Sequence, residues 1–157
     1  MEEKMNIEEK LKSMGCELPP AIQPLANYIP AVREGNIIYL SGVGPMERGK
    51  PKYVGRVGAD LTLDQGYNAA RLCMLCALSN LKAQIGSLDK IERIIKLLGF
   101  VNSAPDFHSQ PQVLNGASDF LVELLGDRGR HARSAIGTCN LPMNIAVEIE
   151  MIVKVKE

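Results

Sequence analysis

Asn144-Ile145-Ala146-Val147-Glu148-Ile149-Glu150-Met151-Ile152-Val153-Lys154 alternates strictly. Ile145, Val147, Ile149, Met151 and Val153 point one way; Ala146, Glu148, Glu150, Ile152 and Lys154 point the other. A period of two over eleven residues reads as a β-strand with one face against a core. Glu148 and Glu150 share a face, with side chains roughly 7 Å apart.

Working back from this strand, His131 to Leu141 reads as another, joined to it by a turn containing Pro142. Gln112 to Leu125 fits a helix that stops at Gly126. Ile91 to Val101 is β-branched and is expected to be a strand, although Ile91, Ile94, Ile95 and Leu98 also fit helical spacing. The clearest helix runs from Leu63 to Ile85. Thr62 and Gln65 form a capping-box pattern and Gly86 follows the end. Ala69, Ala70, Cys73, Cys76 and Ala77 give it a face of small residues that can lie close on a sheet.

Further upstream, Ala31 to Arg33 and Asn36 to Ser41 read as strands around a tight Glu34-Gly35 turn. The second ends at Ser41-Gly42-Val43-Gly44-Pro45, a bend where backbone comes close to something. Lys52 to Val57 reads as a short edge strand. Asn6 to Met14 reads as an amphipathic helix stopped by Gly15, and Pro19, Pro20 and Pro24 force an extended connector after it. The order ββ(β)–α–β–α–ββ, with both long helices on one sheet face, is α+β. Residues 1–17 form an N-terminal helical extension and 18–157 a single domain.

Composition bounds the function. The 157 residues carry 18 basic and 18 acidic side chains, for a formal net charge of zero, and only 4% are aromatic. Nucleic-acid binding normally needs a basic face, and single-strand stacking needs exposed aromatics, so both speak against it. Zero net charge also favours self-association. No apolar run reaches the roughly 18 residues of a membrane span, so no membrane partner is expected. Met1 to Met5 is polar and acidic rather than a secretion signal, so a cytoplasmic protein with reduced thiols is expected.

Several side chains could carry chemistry. Cys73-Met74-Leu75-Cys76 is a CxxC, but it sits mid-helix with no second pair to complete a metal site, so it reads as core. His108 and His131 are the only histidines. Arg128, Arg130 and Arg133 cluster beside His131. Arg133 begins a strand, so the pleat fixes its direction, and a guanidinium held this way suits bidentate carboxylate recognition.

Arg133-Ser134-Ala135-Ile136, Leu141-Pro142 and Val147-Glu148-Ile149-Glu150 together resemble the C-terminal signature of the Rid (YjgF) family of reactive-intermediate deaminases. Ala21-Ile22-Gln23-Pro24, Asn36 to Pro45 and Asp106-Phe107 extend the resemblance over Leu18 to Val155. It implies a chorismate-mutase-like fold and a homotrimer with a barrel-like core, helices outside and ligand sites between subunits. It implies that Arg133 clamps a substrate carboxylate and Glu148 positions or activates a water. Ser41, Gly42 and Asn115 would contact the ligand. The implied reaction is hydrolysis of enamines or imines to a keto acid and ammonia, with no metal or organic cofactor. A non-catalytic trimeric sensor of small keto or imino acids is the alternative, and some relatives carry a ribonuclease or translation-inhibitor activity. The chain departs from the deaminase pattern at Leu25, where a Tyr is usual, and at Ala135, where a Cys is common. Gly137, Thr138 and a longer loop after Phe107 also depart.

Overall fold

A computed structural model describes residues 5–23 and 26–157. Pro24 and Leu25, and with them the Tyr-to-Leu departure, lie outside the described residues.

Among the described residues the α-helices and strands follow in chain order: α1 (Ile7–Ser13), β1 (Ala31–Glu34), β2 (Ile37–Val43), β3 (Met46–Glu47), β4 (Lys50–Pro51), α2 (Leu63–Ile85), β5 (Ile91–Asn102), α3 (Gln110–Leu125), β6 (Ala132–Thr138) and β7 (Val147–Val155). The main sheet has the order β1-β2-β7-β5-β6. β5 and β6 run parallel and every other pair is antiparallel, so the sheet is mixed. The fold is α+β and chorismate-mutase-like, as the residues and the resemblance led us to expect.

The alternation in β7 sorts its side chains as read. Val147, Ile149, Met151, Val153 and Val155 are buried, while Glu150 is exposed and Glu148, Ile152 and Lys154 are intermediate. The buried row faces α2 and α3. There it meets Ala69, Ala70, Cys73 and Ala77 of α2, and with Leu114, Ala117 and Phe120 of α3 these form one core. The last strand in sequence is thus the middle strand in space.

α2 starts where its cap requires. Gln65 N–H donates to Thr62 Oγ1, and Thr62 N–H donates to Gln65 Oε1, satisfying two orphan donors. Gly86 ends it at φ +82°. Two glycines let α3 pack closely: a Cβ on Gly116 would collide with the Tyr67 carbonyl oxygen of α2, and one on Gly99 of β5 with Leu114. α1 joins the same core through Ile7 and Leu11, and Lys82 Nζ lies 2.8 Å from Glu8.

Some boundaries differ from the sequence reading. Lys52 to Val57 is not a strand. Residues 46–51 form the small β3–β4 hairpin instead, and 52–57 makes only isolated bridges. Gly55 at φ +123° breaks the extended run there. α3 begins at Gln110, two residues early, because Pro111 fits the first turn, where its missing N–H costs nothing. β6 stops at Thr138 and β7 starts at Val147. Between them Pro142–Asn144 forms a 3-10 turn, with Met143 and Asn144 in the left-handed region. The buried Asn102 side chain holds this turn by donating to Asn144 Oδ1 and the Ile145 carbonyl. The two final strands therefore do not pair with each other: both lie against β5.

Candidate functional site

Arg133 projects from the edge strand β6. It pairs in register with Leu97, which is buried under the helices, so its side chain emerges on the helix-covered face beside α3. There its Nη1 donates to Asn115 Oδ1 at 3.0 Å and to Ser118 Oγ at 3.1 Å. Asn115 and Ser118 are one helical turn apart, so both face β6. The two Nη1 hydrogens are thereby used. The Nε–H and Nη2–H edge of the guanidinium has no protein acceptor, and Arg133 has no carboxylate partner, among the described residues. A half-buried cation held only by neutral oxygens, with its forked edge open, is suited to an incoming carboxylate. A groove of about 690 Å³ is lined by Ser118, Asp119, Glu123, Arg130, His131 and Arg133.

His131 belongs to the same cluster. Its Nε2 is 2.9 Å from Ser118 Oγ and its Nδ1 2.6 Å from the Gly129 carbonyl oxygen. Burial, and then the nearby Arg133 charge, pull the imidazole pKa below its usual value; the Gly129 carbonyl opposes them.

Glu148 is elsewhere. It pairs with Phe100, three residues along β5 from Leu97, and so lies on the uncovered face of the sheet. Burial raises its pKa above the usual carboxylate value, and the like charge of Glu150 adds to this. Gly42 lies against it: a Cβ there would overlap Glu148 Oε1. The β2–β7 register shifts between Leu40 and Val43, which makes the bend read from Ser41-Gly42. Ser41 is already engaged, its N–H donating to the Pro30 carbonyl and its hydroxyl to the Ile29 carbonyl at 2.8 Å.

The residues read as one site thus form two clusters. Arg133 and Asn115 meet on the helix face, and Glu148 and Gly42 meet on the other. Ser118 was missed in the sequence. Its signal was the i, i+3 spacing from Asn115, which the resemblance puts at the ligand. The CxxC is core: Cys73 Sγ faces the Val147 carbonyl and Cys76 Sγ the Met46 carbonyl, and burial raises both thiol pKa values. No helix among the described residues is long and apolar enough to cross a membrane.

A mixed sheet with two long helices on one face and an arginine at its parallel edge defines a class, and comparison with known proteins gives the same class. Residues 8–154 match the family described as "YjgF/chorismate_mutase-like, putative endoribonuclease". The chain belongs to this family, the Rid/YjgF proteins. It is similar to protein TCP17 of Trypanosoma cruzi, at 41% identity over 145 residues, covering 92% of this chain and 91% of that one. It is 30% identical over 140 residues to a 2-iminobutanoate/2-iminopropanoate deaminase of Dermatophagoides farinae, covering 88% and 93%. Among solved structures, Atu1372 of Agrobacterium tumefaciens is 46% identical with a TM-score of 0.90, covering 96% of this chain and 92% of that one.

Proposed function

We propose that this protein hydrolyses reactive enamines or imines of small carboxylates to a keto acid and ammonia. The observation that carries the reading is the open Nε–Nη2 edge of Arg133, a fixed guanidinium without a counter-charge among the described residues. It supports a carboxylate anchor, and the imine deaminase relative supports the reaction class.

In this reading Arg133 takes the carboxylate through two parallel hydrogen bonds. An enamine first takes a solvent proton on its β-carbon to become the protonated imine. Water adds to the carbon of the protonated imine as Glu148 accepts a proton from it, forming the C–O bond of a neutral carbinolamine. Glu148 then returns that proton to nitrogen, the C–N bond breaks as the carbonyl forms, and the hydroxyl proton leaves with the ammonia as ammonium. Burial holds this carboxyl above its usual pKa, which favours the protonated form that returns the proton. The protein side of the catalysis is positioning and one proton carrier, with no cofactor in the scheme.

Arg133 and Glu148 lie on opposite faces of one protomer's sheet, so a single ligand reaching both is best served by two protomers. The uncovered face offers Tyr39, Leu98, Phe100, Ile136 and Ile152 for such packing. A homotrimer with shared sites accounts for both features. The test generates imines with an amino-acid oxidase and follows their decay. Wild type should accelerate the decay and Arg133→Ala should not. Decay no faster than in buffer with either protein sinks the hydrolase.

Two observations favour a second reading, a carboxylate-binding protein without turnover. Ala135 replaces a cysteine common in the deaminases, and the Ser41 hydroxyl is turned to its own chain. This reading expects thermal stabilisation by a keto acid, lost in Arg133→Ala, with no acceleration of imine decay.

A further inference from the structure

A second groove, of about 360 Å³, lies at the far end of the α3–β6 seam from Arg133, outside the C-terminal ends of the parallel strands β5 and β6. Such strand ends are where a β–α–β unit leaves a crevice. The groove floor is built around a missing side chain. A Cβ on Gly137 would come within 2.8 Å of Gln110 Nε2 and 3.2 Å of Ser103 Oγ. With that space free, the Gln110 amide lies across the strand end and donates to the Phe107 carbonyl at 2.8 Å and to Ser103 Oγ at 3.4 Å. Ser103 in turn donates to the Val101 carbonyl, and the Thr138 hydroxyl to the Asn140 carbonyl. The neutral side chains of the lining have thus spent their hydrogens on the protein. Gly137, Thr138 and the loop after Phe107, where the chain departs from the deaminase pattern, all reach this one groove.

Two donors in the lining are unspent. Neither the Arg56 guanidinium nor the His108 ring has a partner among the described residues, and no Asp or Glu lines the groove. Asp60 is turned to the Arg56 backbone N–H, at 2.8 Å, and not to its guanidinium. The Arg56 main chain is pinned. Its carbonyl accepts from the Asp60 and Leu61 N–H groups at 2.9 and 3.0 Å, and the next residue, Val57, donates to the Asn102 carbonyl at the end of β5. A fixed stem therefore carries a cation without a counter-charge among the described residues. The His108 ring offers an N–H in either charge state.

We propose that this groove is a second anion site, in which Arg56 and His108 take a small oxyanion, carboxylate or phosphate, independently of Arg133. A guanidinium fork matches two oxygens of either group. Four strand residues, about 13 Å, separate Gly137 from Arg133. Arg133 leans further away, toward Asn115 and Ser118, more than a helical turn along α3 from Gln110. A small keto acid held by Arg133 does not span that distance, so the groove takes a separate molecule.

The test is an NMR titration with inorganic phosphate, and separately with acetate, at constant pH and ionic strength. Saturable shifts are expected at His108 and residues 137–139, with affinity about tenfold weaker in Arg56→Gln and in His108→Gln and unchanged in Arg133→Ala. Saturation by either anion supports the site and names its oxyanion. Shifts that only rise linearly with both anions overturn it, as does an affinity that Arg56→Gln leaves unchanged. Shifts abolished by Arg133→Ala place the anion at Arg133 and overturn it too. A negative result here leaves the Arg133 anchor standing, and failure of imine hydrolysis leaves this site standing.

Discussion

Arg133 and Glu148 stand on opposite faces of one sheet. The register is plain: Arg133 aligns with Leu97 and Glu148 with Phe100, an odd number of residues apart on β5. Each residue has its own local support. Asn115 and Ser118 hold the arginine, and Gly42 leaves room for the glutamate.

Arg133→Lys should not rescue carboxylate binding. A lysine keeps the charge but loses the fork and the fixed plane. Hydrogen bonds to charged groups contribute about 1.5–3 kcal/mol, so a keto acid should bind roughly 10- to 150-fold more weakly. Calorimetry with 2-oxobutanoate reads this directly, and wild-type affinity in Arg133→Lys counts against a bidentate anchor.

Asn115→Ala removes one of the two oxygens that orient Arg133 and leaves the charge in place. The expected result is a loss of about tenfold in keto-acid affinity, on the order of 1.4 kcal/mol, with little change in urea midpoint.

Gly42→Ala should damage the Glu148 side alone. The new methyl overlaps Glu148 Oε1 and must push the carboxylate aside, while Gly42 itself is exposed. Imine hydrolysis should fall at least about tenfold with keto-acid binding retained. Full turnover in this variant would remove Glu148 from the proposed proton transfer.

Glu148→Gln should stabilise the protein at neutral pH. The folded carboxyl has a raised pKa, so the folded state holds its proton more tightly than the unfolded state. Stability from this group therefore declines as pH rises from the ordinary carboxylate value through the folded one. Urea midpoints of wild type and Glu148→Gln should coincide in acid and separate near neutrality, the variant being higher. A higher wild-type midpoint near neutrality contradicts the sign.

Gly116→Ala tests the packing of α3 on α2. Its methyl meets the Tyr67 carbonyl oxygen, which is backbone and cannot swing away. Overpacking of this kind costs about 1–3 kcal/mol, visible as a lower urea midpoint at unchanged slope.

Much of this architecture was legible because single residues carried it. The alternation from Ile145 to Lys154 separated core from open face, and Thr62, Gln65 and Gly86 bounded α2. Strand order was not legible, because pairing partners depend on tertiary contacts rather than on local pattern. Nothing local says that β7 inserts between β2 and β5. The Lys52–Val57 reading failed at one residue, Gly55, whose positive φ no neighbouring pattern announces. At the site, the type of Arg133 and its strand-end place pointed to anion binding. Its partner Ser118 looked like any exposed helical serine, and the separation of Glu148 from Arg133 needed the register of β5.

The central position of β7 also sets an order of events for the growing chain. Every other strand of the main sheet leaves the ribosome before it. Until it arrives, β1–β2 and β5–β6 are separate ribbons, each with an unpaired edge that can template the wrong partner. Completion of the sheet waits for residues 147–155, so the nascent protein is most exposed to mispairing just before synthesis reaches them.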